Sequence, residues 1–242
     1  MKITVHVQRY NPETDPSEQM QTYTVEAGST DRILDLLLTI KRTQDGSLAF
    51  RKSCAHGVCG SDAMRINGRE RLACKTLVKD VIREDSTEIT LEPLRHLPVQ
   101  RDLMVDPKDF FEKYRLVSPF LIAKNAAPEK GEYQQSQEER RAFDDPTKCI
   151  LCGACYSACP VLDTNSLFIG PAASIQAARF TKDSRDQGLA PRMNAIDNPN
   201  GVWGCENHFE CTRVCPREIK VTKAINETKR AISKYKEGQA ES

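Results

Sequence analysis

Seven of the ten cysteines fall in two groups near the C-terminus. The first group has the spacing C-x2-C-x2-C-x3-C-P and comprises Cys149, Cys152, Cys155 and Cys159. The second group also ends in a cysteine-proline step and comprises Cys205, Cys211 and Cys215. Iron in sulfide clusters prefers thiolate ligands, and a C-x2-C-x2-C loop can place three thiolates around one face of a cluster. The spacing therefore predicts two iron–sulfur clusters and a role in electron transfer.

The two-cluster ferredoxin pattern also predicts which cysteines share a cluster, because the last cysteine of each run binds the cluster of the other run. This rule predicts a 4Fe-4S cluster bound by Cys149, Cys152, Cys155 and Cys215. The second run carries His208 where a complete run has its middle cysteine. The thiolates that remain suit a 3Fe-4S cluster, and they are Cys159, Cys205 and Cys211. Imidazole can also ligate iron, so a 4Fe-4S cluster with His208 as its fourth ligand is the alternative.

A third group of candidate ligands lies upstream and comprises Cys54, Cys59, Asp62 and Cys74. Its spacing matches the plant-type 2Fe-2S pattern C-x4-C-x2-C with a distant fourth cysteine, except that Asp62 occupies the third position. Gly57 and Gly60 suit a loop that passes close to sulfide, because glycine adopts positive φ freely. We predict a 2Fe-2S cluster here. In the alternative, Asp62 is an ordinary loop aspartate and Ser61 or water completes the site, while His56 is interpreted as a loop residue.

Disulfides and zinc are the other uses that such cysteines could have. The sequence shows no signal peptide, and cysteines this close in the chain are poorly placed to bridge each other, so disulfides are not expected. Zinc accepts C-x2-C pairs, but the first run has one cysteine too many for a single tetrahedral site. Iron is therefore favoured over zinc.

Length, charge and hydropathy limit the functional classes further. The 242 residues allow one or two domains with cores of their own. A net charge of +1 gives no electrostatic reason to expect nucleic acid as a partner. The mean hydropathy is -0.54 and no long apolar run occurs, so any contact with a membrane is expected to be peripheral.

The elements predicted around the upstream cysteines are mainly strands. Residues 2–8 alternate as a strand does, residues 21–26 are predicted to return beside them, and residues 88–94 are predicted to form another strand. Asn67-Gly68 predicts a type I′ hairpin, because both residues tolerate positive φ.

One helix is predicted in the same region. Its apolar face comprises Ile33, Leu34, Leu37, Leu38 and Ile40. We expect a capping residue within 29–31 and Asp31 in the first turn, where a negative charge is favourable. Strands with one helix around a cluster loop are typical of a β-grasp ferredoxin domain.

Beyond residue 99 the predicted elements are helices separated by prolines. One helix is expected after Asp106-Pro107, a second over residues 172–181 following Pro171, and a third over residues 222–236. Residues 125–137 are polar and are predicted to form an exposed connection.

This change in composition predicts an α+β protein of two domains. Residues 1–103 are expected to form a β-grasp plant-type ferredoxin domain that binds the 2Fe-2S cluster. Residues 104–242 are expected to form an α-helical, bacterial-ferredoxin-like domain that binds the 4Fe-4S and 3Fe-4S clusters.

Five stretches of the sequence carry a resemblance to a known family. They are residues 54–64 with 73–74, 101–106, 149–160, 168–172, and 179–180 with 183–186. In this order, and over nearly the whole length, they resemble the iron–sulfur subunits of succinate dehydrogenases and the related fumarate reductases.

The resemblance implies partners and cofactors. In that family the subunit connects a flavoprotein, where FAD exchanges a hydride equivalent with succinate, to a membrane anchor near which quinone is reduced. It implies that the 2Fe-2S, 4Fe-4S and 3Fe-4S clusters stand in series between FAD and quinone, and that the chain lies peripherally at the cytoplasmic face of a bacterial plasma membrane. No catalytic residue is expected on this chain. The family accepts cysteine or aspartate at the position of Asp62, which favours Asp62 as an iron ligand.

The resemblance is weaker at the quinone end. Ubiquinone-reducing members have a tryptophan pair shortly after the cysteine-proline step and a histidine directly after the first cysteine of the last group. Here no tryptophan closely follows Pro160, and Glu206 occupies the histidine position. Menaquinone and ubiquinone both stay open as partners. Pro160 and Trp203 are the candidates near quinone, and the alternative for Trp203 is packing beside a cluster.

Three alternative functions follow for this chain, and they differ in their partners or in the metal they bind. The resemblance favours the electron-transfer subunit of succinate dehydrogenase, a succinate:quinone oxidoreductase. The alternative is the iron–sulfur subunit of a quinol:fumarate reductase, or of a soluble reductase with another partner. A zinc-stabilised interaction module without redox function is the alternative from a different class, and such a protein would be colourless.

Overall fold

The computed structural model describes residues 1–83, 86–123, 128–129 and 131–240, and these form two units. The first unit comprises Met1–Pro107 and Ile150–Ala158, and the second comprises Lys108–Cys149 and Cys159–Ser242. The segment that carries Cys152 and Cys155 therefore belongs with the N-terminal unit, although it follows the predicted boundary at residue 103 by almost fifty positions in the chain.

A mixed five-stranded sheet forms the first unit, in the order β2-β1-β5-β3-β4. Its strands are β1 Lys2–Arg9, β2 Gln19–Glu26, β3 Ala63–Ile66, β4 Arg69–Leu72 and β5 Glu88–Glu92. β1 pairs antiparallel with β2 and parallel with β5, and Ile3, Val5 and Val7 on one face of β1 are fully buried. The predicted strand pair and the strand at residue 88 are confirmed, although β5 ends two residues earlier than predicted.

Helix α1, Ile33–Thr43, follows this strand pair and contacts β2. Its buried residues are Ile33, Leu34, Leu36, Leu37 and Ile40, so Leu36 takes the buried place predicted for Leu38. The predicted cap within residues 29–31 is wrong, because the N-cap is Arg32, whose backbone N–H donates to Asp35 at 3.0 Å. Asp31 lies before the helix, where its carboxylate accepts the Gly28 N–H at 2.8 Å instead. Local turn bonding thus outcompetes capping at Asp31.

Two hairpins complete the sheet region. The turn between β3 and β4 has φ of 50° at Asn67 and 74° at Gly68, which confirms the type I′ hairpin. A second hairpin, β6 Val99–Arg101 with β7 Met104–Val105, was not predicted from the sequence. Asp102 stands at its turn, and its buried carboxylate accepts backbone N–H groups of Tyr10 and Ala49 at 3.0 and 2.8 Å. Asp102 therefore links this hairpin to Tyr10 and Ala49 within the first unit.

The second unit is helical. The helices after α1 are α2 Lys108–Leu116, α3 Gln137–Ala142, α4 Asp144–Thr147, α5 Ala154–Ser157, α6 Val161–Thr164, α7 Gly170–Thr181, α8 Leu189–Ile196, α9 Glu210–Arg213 and α10 Val221–Ala240. Of these, α5 belongs to the first unit. The three predicted helices are confirmed in α2, α7 and α10. Of the predicted connection 125–137, residues 125–127 and 130 lie outside the described residues.

Two aspartates with buried side chains form local ion pairs in the second unit. Asp183 binds Arg179 and Arg185 at 2.9 and 2.8 Å, and Asp186 binds the fully buried Arg192. Burial alone would raise the pKa of Asp183, but hydrogen bonds from Arg185 and Arg179 outweigh it and hold that pKa well below its ordinary value. The stretch 183–186 that carries part of the family resemblance is thus a packing element. None of the helices in the described part of the chain is both long enough and apolar enough to cross a membrane.

Candidate iron–sulfur sites

The loop before β3 brings two predicted 2Fe-2S ligands together. The sulfur atoms of Cys54 and Cys59 lie 3.2 Å apart, close enough for both thiolates to bind the same tetrahedral iron. The loop curls through positive φ at Ala55, Gly57 and Gly60. Such a backbone is easiest for glycine, which explains two of the three residue types.

Backbone donors point at the first of these thiols. The His56 N–H donates to Cys54 Sγ at 3.3 Å, and N–H groups of His56 and Val58 are the main reason that the pKa of Cys54 is lowered to about 6. A cluster binds the thiolate form, so a loop that stabilises the anion favours ligation. His56 thus contacts the site through its backbone N–H.

Asp62 and Cys74 form the buried side of the same site. The Cys74 N–H donates to Asp62 Oδ2 at 2.6 Å, and both residues are 3% exposed. Burial, together with the neighbouring Asp62 carboxyl, raises the pKa of Cys74 to about 12. Asp62 Oδ1 is buried and has no hydrogen-bond partner among the described residues. A buried carboxylate oxygen without a partner is costly, and an iron ion is a partner that would satisfy it.

Ser61 lies on the exposed side of this site. Its hydroxyl is 3.2 Å from Cys59 Sγ, which makes it a hydrogen-bond partner of a ligand sulfur. Ser61 therefore adjoins the site, and its place as an alternative ligand to Asp62 stays a prediction.

The ligands predicted for the 4Fe-4S cluster are divided between the two units. Cys152 and Cys155 both lie in the first unit. Cys152 is on a loop that turns through positive φ at Leu151 and Gly153, and Cys155 lies in the helix α5 that follows. Cys149 and Cys215 lie in the second unit, each just after a short helix, α4 and α9. The prediction that these four cysteines bind the same cluster is based on their spacing in the sequence.

The three remaining cysteines line one cavity of the second unit. They are Cys159, Cys205 and Cys211. Cys159 and Cys211 are 8% and 7% exposed, and burial raises the pKa of both thiols, that of Cys159 to about 11. Cys205 is half-buried, and three thiols around one space fit a cluster that replaces their protons with iron.

The other candidates of this region differ in their relation to the cavity. Pro160 and His208 line it, and His208 Nε2 lies 3.0 Å from Glu206 Oε2. Trp203 is not among the lining residues and is 42% exposed, with its indole N–H donating to Asp197 at 2.8 Å. Of the two residues predicted near quinone, Pro160 therefore lines this cavity and Trp203 does not.

A site for a single metal ion needs a different arrangement of side chains from a cluster site. Within the described ranges, no three His, Cys, Asp or Glu side chains are grouped as a single ion requires. A cluster distributes its ligands over two or more irons, so the spacing of sulfurs is the relevant test for the sites above.

Two contributors to these sites were missed by sequence reasoning. Ser157, fully buried on α5, donates to Glu70 Oε1 of β4 at 2.8 Å and accepts the Arg95 N–H at 2.8 Å. These bonds hold the segment with Cys152 and Cys155 on the ferredoxin sheet. In the second unit, Lys229 of α10 donates to the carbonyl oxygen of Cys205 at 2.9 Å. Both contacts join residues far apart in the chain, and no local pattern signals them.

Comparison with known families agrees with this geometry. Residues 4–112 match the 2Fe-2S iron-sulfur cluster binding domain, and residues 145–219 match the 4Fe-4S dicluster domain. Fold and sites together define an iron–sulfur electron-transfer protein with a plant-type ferredoxin unit and a dicluster unit.

Relatives over the full length narrow the class. The chain is 41% identical over 229 residues to the fumarate reductase iron-sulfur subunit of Mycobacterium tuberculosis, covering 94% of this chain and 92% of the relative. It is 39% identical over 225 residues to the succinate dehydrogenase iron-sulfur subunit of Coxiella burnetii, covering 92% and 94%. A chain of the Mycobacterium smegmatis Sdh1 complex in the apo form matches with a TM-score of 0.83 and 29% identity, with 97% of each chain covered. The chain belongs to the family of succinate dehydrogenase and fumarate reductase iron–sulfur subunits.

Proposed function

We propose that this chain carries electrons one at a time between the FAD of a flavoprotein subunit and quinone at a membrane anchor. In this proposal it works within a succinate dehydrogenase, bound peripherally at the cytoplasmic face of a bacterial plasma membrane. Clusters, when bound, supply one-electron centres between a two-electron flavin and a two-electron quinone. The residues of the chain hold these centres, set their spacing and adjust their potentials.

The proposed ligands are those of the sequence pattern. Cys54, Cys59, Asp62 and Cys74 hold the 2Fe-2S cluster. Cys149, Cys152, Cys155 and Cys215 hold the 4Fe-4S cluster. Cys159, Cys205 and Cys211 hold the 3Fe-4S cluster.

A single observation carries the three-cluster proposal furthest. The three cysteines left over by the incomplete second run all line one cavity, and two of them are buried. His208 stands where a fourth ligand is expected, yet its Nε2 faces the Glu206 carboxylate at 3.0 Å. This pairing supports a non-ligating His208 and a cluster held by three thiolates.

The quinone contact is proposed at the same cavity. Pro160 lines it next to Cys159, and the side chain of Phe209, another lining residue, is 50% exposed. An apolar, partly open wall suits a quinone ring. The sequence departs from ubiquinone-reducing relatives here, so menaquinone and ubiquinone are both candidates.

A second candidate function is quinol:fumarate reduction. The relative in Mycobacterium tuberculosis, at 41% identity, is named a fumarate reductase iron-sulfur subunit. The same series of clusters can carry electrons in either direction, because the direction depends on the potentials of the two substrates.

Low-temperature EPR of the anaerobically purified complex tests the proposal. We expect a 3Fe signal in the oxidised state, and 2Fe-2S and 4Fe-4S signals after reduction with dithionite. A flavoprotein and a membrane protein should copurify, and succinate should reduce a quinone analogue. A colourless chain with zinc and no labile sulfide would overturn the proposal in favour of a structural module.

A further inference from the structure

A threonine pair adjoins the buried wall of the three-cysteine cavity. Thr222, at the start of α10, is 1% exposed and lines the cavity, and its hydroxyl oxygen lies 3.5 Å from Cys211 Sγ. The Thr222 hydroxyl is also 3.1 Å from the hydroxyl of Thr212, which follows Cys211 on α9. The contact is therefore a short network that ends on a ligand sulfur.

The chemistry of the groups fixes the direction of the bond to sulfur. The Thr222 backbone N–H donates to Thr212 Oγ1 at 3.0 Å. A thiolate bound to iron has no proton to give, so it can only accept, and Thr222 must donate its hydroxyl hydrogen to Cys211 Sγ. The Thr212 hydroxyl can donate to Thr222 Oγ1 or to Cys211, which the Thr212 side chain and backbone N–H also contact. Of the two threonines, Thr222 is the one that lines the cavity.

We propose that Thr222 is a positioning residue that sets the potential of the cluster in this cavity, by donating a hydrogen bond to the Cys211 thiolate. The inference rests on the proposed function, in which Cys211 ligates a 3Fe-4S cluster. Reduction adds negative charge to the cluster and its sulfurs, so a donor to sulfur stabilises the reduced state more than the oxidised state. Thr222 thus raises the potential and favours receipt of an electron by this cluster.

The chain supplies a matched control on the same helix. Thr228 is also 1% exposed, but its hydroxyl donates to the Ala224 carbonyl oxygen at 3.0 Å and lines no part of the cavity. Thr222→Val and Thr228→Val each replace one buried hydroxyl of α10 with a methyl group. Only Thr222→Val removes a donor to sulfur, whereas Thr222→Ser keeps one.

The test is a redox titration of the 3Fe EPR signal in the purified complex of each variant. For Thr222→Val, we expect the ratio of reduced to oxidised cluster at a fixed potential to fall about threefold to tenfold, where tenfold corresponds to about 59 mV for one electron. Thr222→Ser and Thr228→Val should titrate close to the wild type. If valine prevents cluster assembly, Thr222→Ala compared with Thr222→Ser makes the same comparison.

The outcomes separate this inference from the proposed function. A wild-type complex without a 3Fe signal overturns the cluster assignment and the role of Thr222 with it. A normal wild-type signal with an unshifted Thr222→Val titration overturns the role of Thr222 alone. Equal shifts in Thr222→Val and Thr228→Val would assign the effect to helix packing and would also overturn it.

Discussion

Gly60, in the loop proposed to bind the 2Fe-2S cluster, lies directly against Cys152, a proposed ligand of the 4Fe-4S cluster, within the first unit. A Cβ atom at Gly60 would stand 2.6 Å from Cys152 Cβ and 2.9 Å from Cys152 Cα, much closer than real Cβ contacts. The backbone of one predicted cluster site therefore touches a predicted ligand of the next. In an electron carrier this close approach shortens the path between two centres.

Replacement of Gly60 tests this contact. Gly60→Ala adds a Cβ that the Cys152 backbone cannot avoid by a side-chain rotation, and it also places alanine at a φ of 71°. Gly68→Ala is the matched control, because its φ is 74° but the nearest atom to an added Cβ is Arg65 Nη2 at 3.9 Å. We expect Gly68→Ala to cost only about 1 kcal/mol of stability. Gly60→Ala should lose more, together with 4Fe-4S iron and labile sulfide, and equal losses in both variants would contradict the contact.

The role of Asp62 leads to a second prediction. Asp62→Cys replaces the buried carboxylate with the thiolate of the plant-type pattern, so the 2Fe-2S EPR signal should persist with a changed midpoint potential. Asp62→Asn keeps an oxygen that can accept the Cys74 N–H but removes the charged ligand, and iron content should fall. An ordinary loop aspartate would instead give an unchanged potential in Asp62→Cys and full iron in Asp62→Asn.

Short-range patterns explain what the sequence could predict. The strand pair β1 and β2 follows from alternation, the hairpin from Asn67-Gly68, and α10 from its apolar face, and all three are local signals. The cysteine spacing likewise predicted which thiols meet at Cys54 and Cys59. Each of these features depends on residues that are close in the chain.

The parts that escaped prediction depend on distant contacts. Glu70 and Ser157 are 87 residues apart in the chain. Glu70 lies on β4 between two arginines, and such a charged sequence predicts an exposed strand. The side chain of Asp31 could cap a helix or close a turn, and the two alternatives differ by about 1 kcal/mol or less, which tertiary context decides. Local sequence does not contain that context.

The buried bond between Ser157 and Glu70 gives a third prediction. Ser157→Ala removes the donor to a buried carboxylate and the acceptor of the Arg95 N–H, at a cost of about 1–3 kcal/mol. We expect a looser 4Fe-4S loop, seen as a lower 4Fe-4S signal per chain with a normal 2Fe-2S signal. Ser174→Ala is the control, because Ser174 is equally buried but only bonds back to the Gly170 carbonyl of its own helix. Loss of both signals in equal proportion would argue against a local role.

Alkaline pH should weaken the sheet through Tyr23, which is 5% exposed on β2 and donates to Asp45 Oδ2 at 2.7 Å. Burial and this hydrogen bond raise the pKa of Tyr23 to about 12, and Arg9 opposes the shift only in part. An unfolded tyrosine titrates near pH ~10, so the stabilisation by the neutral phenol is complete below that pH and is lost as the pH rises towards the folded value. The stability advantage of the wild type over Tyr23→Phe should therefore stay constant up to about pH 10. It should then fall by about 1.4 kcal/mol per pH unit, or at most about 2–3 kcal/mol in all. Urea unfolding midpoints of the two proteins between pH 8 and pH 12 measure this difference, and parallel curves over the whole range would show that Tyr23 ionises as readily in the folded chain as in the unfolded one.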